Sequence, residues 1–127
     1  MTRLCILHVD DDANIRALTA LAFDLSGEAE VHSAASGAEA LGLLSAGLQP
    51  DLLLLDVMMP DMDGPSLLDR IRQAPAASPA PAIFMTAQTQ DHELAHLMSR
   101  GAIGVVIKPF DPMTLGAQVQ SLLENPA

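Results

Sequence analysis

Residues 50–64 read PDLLLLDVMMPDMDG, from Pro50 to Gly64, and the rest of the chain is organised around them. Four consecutive leucines, Leu52 to Leu55, run straight into Asp56, and turn-forming residues follow at once. A short unbroken apolar run bounded by turn signals suits a strand buried on both faces, as in the middle of a parallel sheet. Leucine has only modest strand propensity, so burial must be what makes the strand. Asp56 then stands at the carboxyl end of that strand, where open α/β sheets hold their ligands. The segment alone leaves two readings of Asp56 open. It is a site residue, or it merely ends the strand or caps a turn with Met59, Pro60 and Asp61.

On either side the same alternation repeats. Leu4 to Val9 (LCILHV) reads as a buried strand closed by Asp10, Asp11 and Asp12. His8 within it is expected to be packed rather than a ligand. A helix follows with Ile15, Leu18, Ala22 and Leu25 on one face, Asp12 as its candidate N-cap and Gly27 at its end. Glu30 to Ala34 is a shorter strand. Ser36 and Glu39 form a capping-box pattern ahead of Ala40, Leu41 and Leu44, and Gly47 with Pro50 stops that helix. Beyond Asp56, Gly64-Pro65 opens a helix whose apolar face is Leu67, Leu68 and Ile71. Ala74 to Pro81 is a proline- and alanine-rich loop. Ala82 to Met85 is a strand ending at Thr86-Ala87, Asp91 to Ser99 a helix, and Ile103 to Ile107 the last strand, closed by Lys108-Pro109. The final helix begins at Asp111-Pro112 and carries Leu115, Val119, Leu122 and Leu123.

Five rounds of strand then helix imply an α/β fold, a doubly wound five-stranded parallel sheet with helices on both faces, because parallel neighbours need right-handed crossovers. In the order 2-1-3-4-5 the first and third strands meet at the topological switch point, and their terminal acids meet with them. The chain has 127 residues, which suits a single domain spanning 1–127, and half of them are hydrophobic. A formal charge of −10 argues against a nucleic-acid backbone or an anionic membrane as the main partner. The one cysteine, Cys5, has no internal disulfide partner and reads as core packing. The opening MTRLCILHVDDD has no apolar stretch long enough for a signal peptide, and no segment approaches a membrane span, so a cytoplasmic location is expected.

Four of the five strands end in a charged or hydroxyl residue on one rim: Asp10-Asp11, Asp56, Thr86 and Lys108. Carboxylates gathered in a partly desolvated crevice repel one another, and a divalent cation relieves that repulsion. Mg²⁺ favours oxygen ligands in octahedral array, and Asp11 and Asp56 can supply two, with a carbonyl just past Asp56 as a third. Asp56 is also a competent nucleophile towards phosphorus. A transferring phosphoryl group needs positive charge and hydroxyl donors around its oxygens, which Lys108, the only lysine, and Thr86 offer.

Taken together, HVDDD at 8–12, LLLLDVMMPDMDG at 52–64, MTA at 85–87 and KPF at 108–110 resemble a response-regulator receiver domain (two-component signalling, CheY-like, a flavodoxin-like fold) over essentially the whole chain. The resemblance implies the 2-1-3-4-5 sheet with five helices. It also implies that Asp56 accepts a phosphoryl group from a phosphohistidine on a sensor histidine kinase or histidine phosphotransfer protein. By the same resemblance Mg²⁺ binds Asp11, Asp56 and the backbone carbonyl of Met58, with Asp10 helping through water. Thr86 and Lys108 meet the phosphoryl oxygens, and Lys108-Pro109 is a cis peptide bond that aims the lysine. Such a protein is no enzyme in the ordinary sense: it catalyses its own phosphorylation and dephosphorylation, and it signals to a downstream protein target or to an output domain missing from this sequence. Met58 and Gln88 would flank the path of attacking water. One departure stands out: receivers often carry Tyr or Phe three residues before the lysine, and here that residue is Val105.

Two rivals remain at this level. HVDDDA also resembles the strand-end signature of haloacid-dehalogenase-type phosphatases, with Asp10 as nucleophile and Asp12 as acid, though this leaves LLLLDVMMPDMDG without a role. The other is a non-phosphorylated receiver-fold binding module, which the full complement of chemical residues disfavours.

Overall fold

The computed structural model describes residues 4–27, 29–74 and 79–125. Its elements run β1 (Leu4–Val9), α1 (Ala13–Ser26), β2 (Ala29–Ala34), α2 (Gly37–Ser45), β3 (Leu52–Asp56), α3 (Gly64–Gln73), β4 (Ala82–Thr86), α4 (Asp91–Ser99), β5 (Gly104–Ile107) and α5 (Leu115–Glu124). The five strands pair in parallel in the order β2-β1-β3-β4-β5. That is the expected doubly wound sheet, with β1 and β3 adjacent at the switch point.

β3 shows why four leucines in a row make a strand here. Side chains alternate between faces, so Leu53 and Leu55 enter the core with Leu67, Leu68, Ile71 and Leu97 of α3 and α4. Leu52 and Leu54 enter the opposite core with Ala22 and Phe23 of α1 and Leu115 and Val119 of α5. All four are fully buried, each contributing roughly 2 kcal/mol of transfer free energy. The central strand is thereby fixed from both sides, and Asp56 is fixed with it.

α1 is rolled relative to the face read from its leucines. Its buried residues are Thr19, Ala22 and Phe23, whereas Leu18 and Leu25 are 39% and 56% exposed. The larger ring of Phe23 enters the core in place of a leucine, and α1 runs close to α5, where a Cβ on Gly116 would stand 3.2 Å from that of Ser26. The final helix also starts later than expected, at Leu115. Asp111 instead closes a turn, its carboxylate accepting from the Met113 N–H at 2.8 Å and its carbonyl from the Thr114 N–H. β2 begins one residue earlier than read, at Ala29, and β5 one later, at Gly104. Part of the Ala74–Pro81 loop, residues 75–78, lies outside the described residues.

The caps hold as expected. Asp12 accepts from the Asn14 and Ile15 N–H groups, and Ser36 accepts from Glu39 N–H. Gly27 ends α1 with φ 70°, the left-handed conformation that glycine adopts freely. Cys5 is only half-buried, and burial, followed by the nearby Asp51 and Glu30, pushes its thiol pKa up, which disfavours the reactive thiolate. Among the described residues no helix is long and apolar enough to cross a membrane.

Candidate functional site

The carboxyl ends of β1 and β3 bring Asp10, Asp11 and Asp56 together: one oxygen from each lies within 4.8 Å of the others. Asp10 and Asp56 are buried and Asp11 is exposed. Lys108, just past β5, reaches across the rim. Its Nζ donates to Asp56 Oδ1 at 2.8 Å and to Asp10 Oδ2 at 2.9 Å. The Lys108–Pro109 peptide bond is cis.

The electrostatics follow from this packing. Burial raises the Asp56 pKa first; the Lys108 hydrogen bond opposes that, and the charges of Asp10 and Asp11 add to the rise. Burial alone would lower the Lys108 pKa, but its bonds to Asp56 and Asp10 outweigh it and raise the ammonium above its usual range. Each shift has its own cause: two further acids crowd Asp56, while Lys108 faces two anions. Asp56 is therefore a stronger base than a free aspartate, and Lys108 stays charged.

Thr86 is buried at the end of β4, and its hydroxyl accepts from the Gln88 N–H at 3.0 Å. Among the described residues that hydroxyl makes no hydrogen bond to the carboxylates or to the Lys108 ammonium, although the Thr86 carbonyl accepts from the Lys108 N–H at 2.8 Å and so ties the two strand ends together. Met58 lies two residues past Asp56 and is 71% exposed. His8, in β1 two residues before Asp10, is fully buried, as expected. Both its ring nitrogens lack a partner among the described residues, and burial, Lys108 and Arg16 hold its pKa down to about 3, so it is neutral.

Two residues that position the site escape a reading of the sequence. Gly64 N–H donates to the Val57 carbonyl at 3.0 Å, and a Cβ at Gly64 would stand 2.5 Å from the Asp56 carbonyl oxygen. The start of α3 thus presses on the backbone that carries Asp56. The other is Arg16, whose Nη1 donates to the Asp10 carbonyl at 2.8 Å. Its signal was present: a cation near a helix N-terminus opposes the helix dipole and calls for another reason to be there.

Asp12 bears on the phosphatase reading. Its carboxylate caps α1 with two hydrogen bonds and is not a free acid beside Asp10. A family model described as the response regulator receiver domain matches residues 6–120. The chain belongs to that family. As a receiver domain it is a phospho-accepting signalling module that acts on itself, and the Asp10, Asp11 and Asp56 cluster is the acidic, metal-capable site of such a module. The receiver is 40% identical over 119 residues to the regulatory protein AtoC of Escherichia coli (strain K12), a match that takes in 94% of this chain and 25% of AtoC. It is 39% identical over 121 residues to an uncharacterized 14.6 kDa protein of Leptolyngbya boryana, covering 94% of this chain and 90% of that one. The structure of the chemotaxis response regulator CheY4 of Vibrio cholerae superposes with a TM-score of 0.84 at 30% identity, over 95% of this chain and 99% of that one. The receiver thus spans a quarter of AtoC but nearly all of two other relatives.

Proposed function

We propose that Asp56 is the phosphoryl acceptor, taking its group from a phosphohistidine on a sensor histidine kinase or histidine phosphotransfer protein. The nitrogen–phosphorus bond breaks as an Asp56 oxygen bonds to phosphorus, and the electron pair returns to the imidazole. What supports this most is the Asp56 carboxylate at the end of β3, held by Lys108 within 4.8 Å of two more carboxylate oxygens. Burial and its acidic neighbours raise its basicity, which favours attack on phosphorus.

An all-oxygen donor set suits Mg²⁺, with Asp11, Asp56 and the Met58 carbonyl as its direct protein ligands and Asp10 acting through water. When bound, Mg²⁺ supplies positive charge that offsets the negative charge on the phosphoryl oxygens. Lys108 neutralises one phosphoryl oxygen and the Thr86 hydroxyl, released from Gln88, bonds another. The 127 residues act as one receiver in the cytoplasm, without nucleic-acid or membrane contact, and pass the signal to a downstream protein or an attached output domain. Incubation with acetyl phosphate and Mg²⁺, followed by peptide mapping, tests the assignment. A label on Asp10, or none, sinks it; trials against histidine kinases then identify the donor.

Two further results are expected. The exposed thioether of Met58 cannot orient water, whereas an amide can. The phosphoryl group on the unaltered chain should therefore outlast that on Met58→Asn several-fold, as measured by loss of label over time. Faster loss from the unaltered chain counts against this role.

Val105 is half-buried against the α3–α4 core and stiff about its first torsion, so it cannot swing a large surface in or out. The change on phosphorylation must then be led by the backbone around Thr86 and α4. Amide exchange, compared with and without a phosphate mimic, should change across residues 87–100. Changes confined to α1 and α2 would refute this.

A further inference from the structure

Arg16 has no ion-pair partner among the described residues, although it stands beside the most acidic corner of the molecule. Among the described residues its guanidinium makes one hydrogen bond, to the carbonyl of the peptide that links Asp10 to Asp11. The Asp10 side chain is fixed by other means: Oδ1 accepts from Asp12 N–H at 2.9 Å and Oδ2 from Lys108 at 2.9 Å. Asp11 has no such restraint. It is exposed, and no hydrogen bond among the described residues holds its carboxylate. Where that carboxylate points depends on the peptide plane from which it projects, and rotation of that plane would swing it away from Asp56.

We propose that Arg16 is a positioning residue for the cation site: by holding the Asp10 carbonyl it fixes the peptide plane that aims Asp11. This rests on the reading of Asp11 as a cation ligand. The opposite role is also physically defined. An arginine acting through its charge alone repels a divalent cation, so its removal would tighten binding. The two roles predict opposite signs.

The test is calorimetric titration of the unphosphorylated chain with Mg²⁺ alone. Arg16→Met keeps the apolar stem and removes both charge and donor. It should weaken Mg²⁺ binding about tenfold, as expected when a group that orients a ligand is lost. Arg16→Lys restores a donor and should recover most of that loss. In an Asp11→Asn background Arg16→Met should cost almost nothing, because Arg16 acts through Asp11. Unchanged or tighter binding in Arg16→Met, or its full cost in the Asp11→Asn background, overturns the proposal. A chain that binds no Mg²⁺ at all sinks the cation reading instead, and the metal-free protein then decides the hold on the peptide. There Arg16→Met should shift the Asp11 amide resonance and Arg16→Lys should leave it near its original position. An unmoved Asp11 resonance in Arg16→Met overturns the hold.

Discussion

Asp56→Asn is expected to abolish phosphoryl acceptance: with acetyl phosphate and Mg²⁺ the unaltered chain should gain one acyl phosphate and the variant none. The two side chains have nearly the same shape, so the difference isolates chemistry. An amide is neutral and lacks the electron-rich oxygen that attacks phosphorus. The fold should survive, because the change removes one of three crowded carboxylates, and Lys108 keeps its bond to Asp10. Mass spectrometry reads the label and circular dichroism the fold. A folded variant that labels as fully as the unaltered chain would mean that the acceptor is elsewhere.

Gly64→Ala is expected to destabilise the domain and displace Asp56 together. The new methyl group would lie 2.5 Å from the Asp56 carbonyl oxygen and 3.2 Å from the Val57 Cα. Both are backbone atoms, which cannot turn aside as a flexible side chain can. Forcing one methyl group into such a place typically costs about 1–3 kcal/mol. In a domain of this size that lowers the melting temperature by roughly 4–10 °C. Labelling at Asp56 should slow as well, even well below the melting point. Gly42 supplies the contrast. It lies inside α2, where an added Cβ meets nothing within 4 Å. There the same substitution should stabilise by about 0.5–1 kcal/mol, through helix propensity alone. Thermal unfolding of the two variants should move in opposite directions. A Gly64→Ala midpoint at or above that of the unaltered chain would exclude the close approach as the reason for this glycine.

Much of this arrangement is legible in the sequence. Leu52–Leu55 could be read as a doubly buried strand because length, turn signals and composition all agreed, and the acids that end two strands followed from the alternation. The bounds of α4 were readable for the same reason. The roll of α1 was not, since Leu18, Leu25 and Phe23 are all apolar and periodicity cannot rank them. Only the close packing of α1 on α5 decides which enters the core. The start of α5 was obscured because Asp111-Pro112 suits both a helix start and the preceding turn. Gly64 read as a helix opener, and its approach to the Asp56 carbonyl is a contact between backbones that no side-chain pattern records. Arg16 shows in the sequence only as a cation out of place near a helix N-terminus; its partner does not show, because that partner is a carbonyl and every residue has one.

Lys108 has one more consequence. It is the chain's only lysine, and it sits with its ammonium between Asp10 and Asp56, the side chain 18% exposed. Apart from the α-amino group, amine-directed chemistry therefore has a single address in this receiver, and that address is inside the site. Reductive methylation with ¹³C-formaldehyde would place one spectroscopic probe on Lys108. Its chemical shift would follow the state of the two carboxylates it bridges, with no second lysine to confuse the signal.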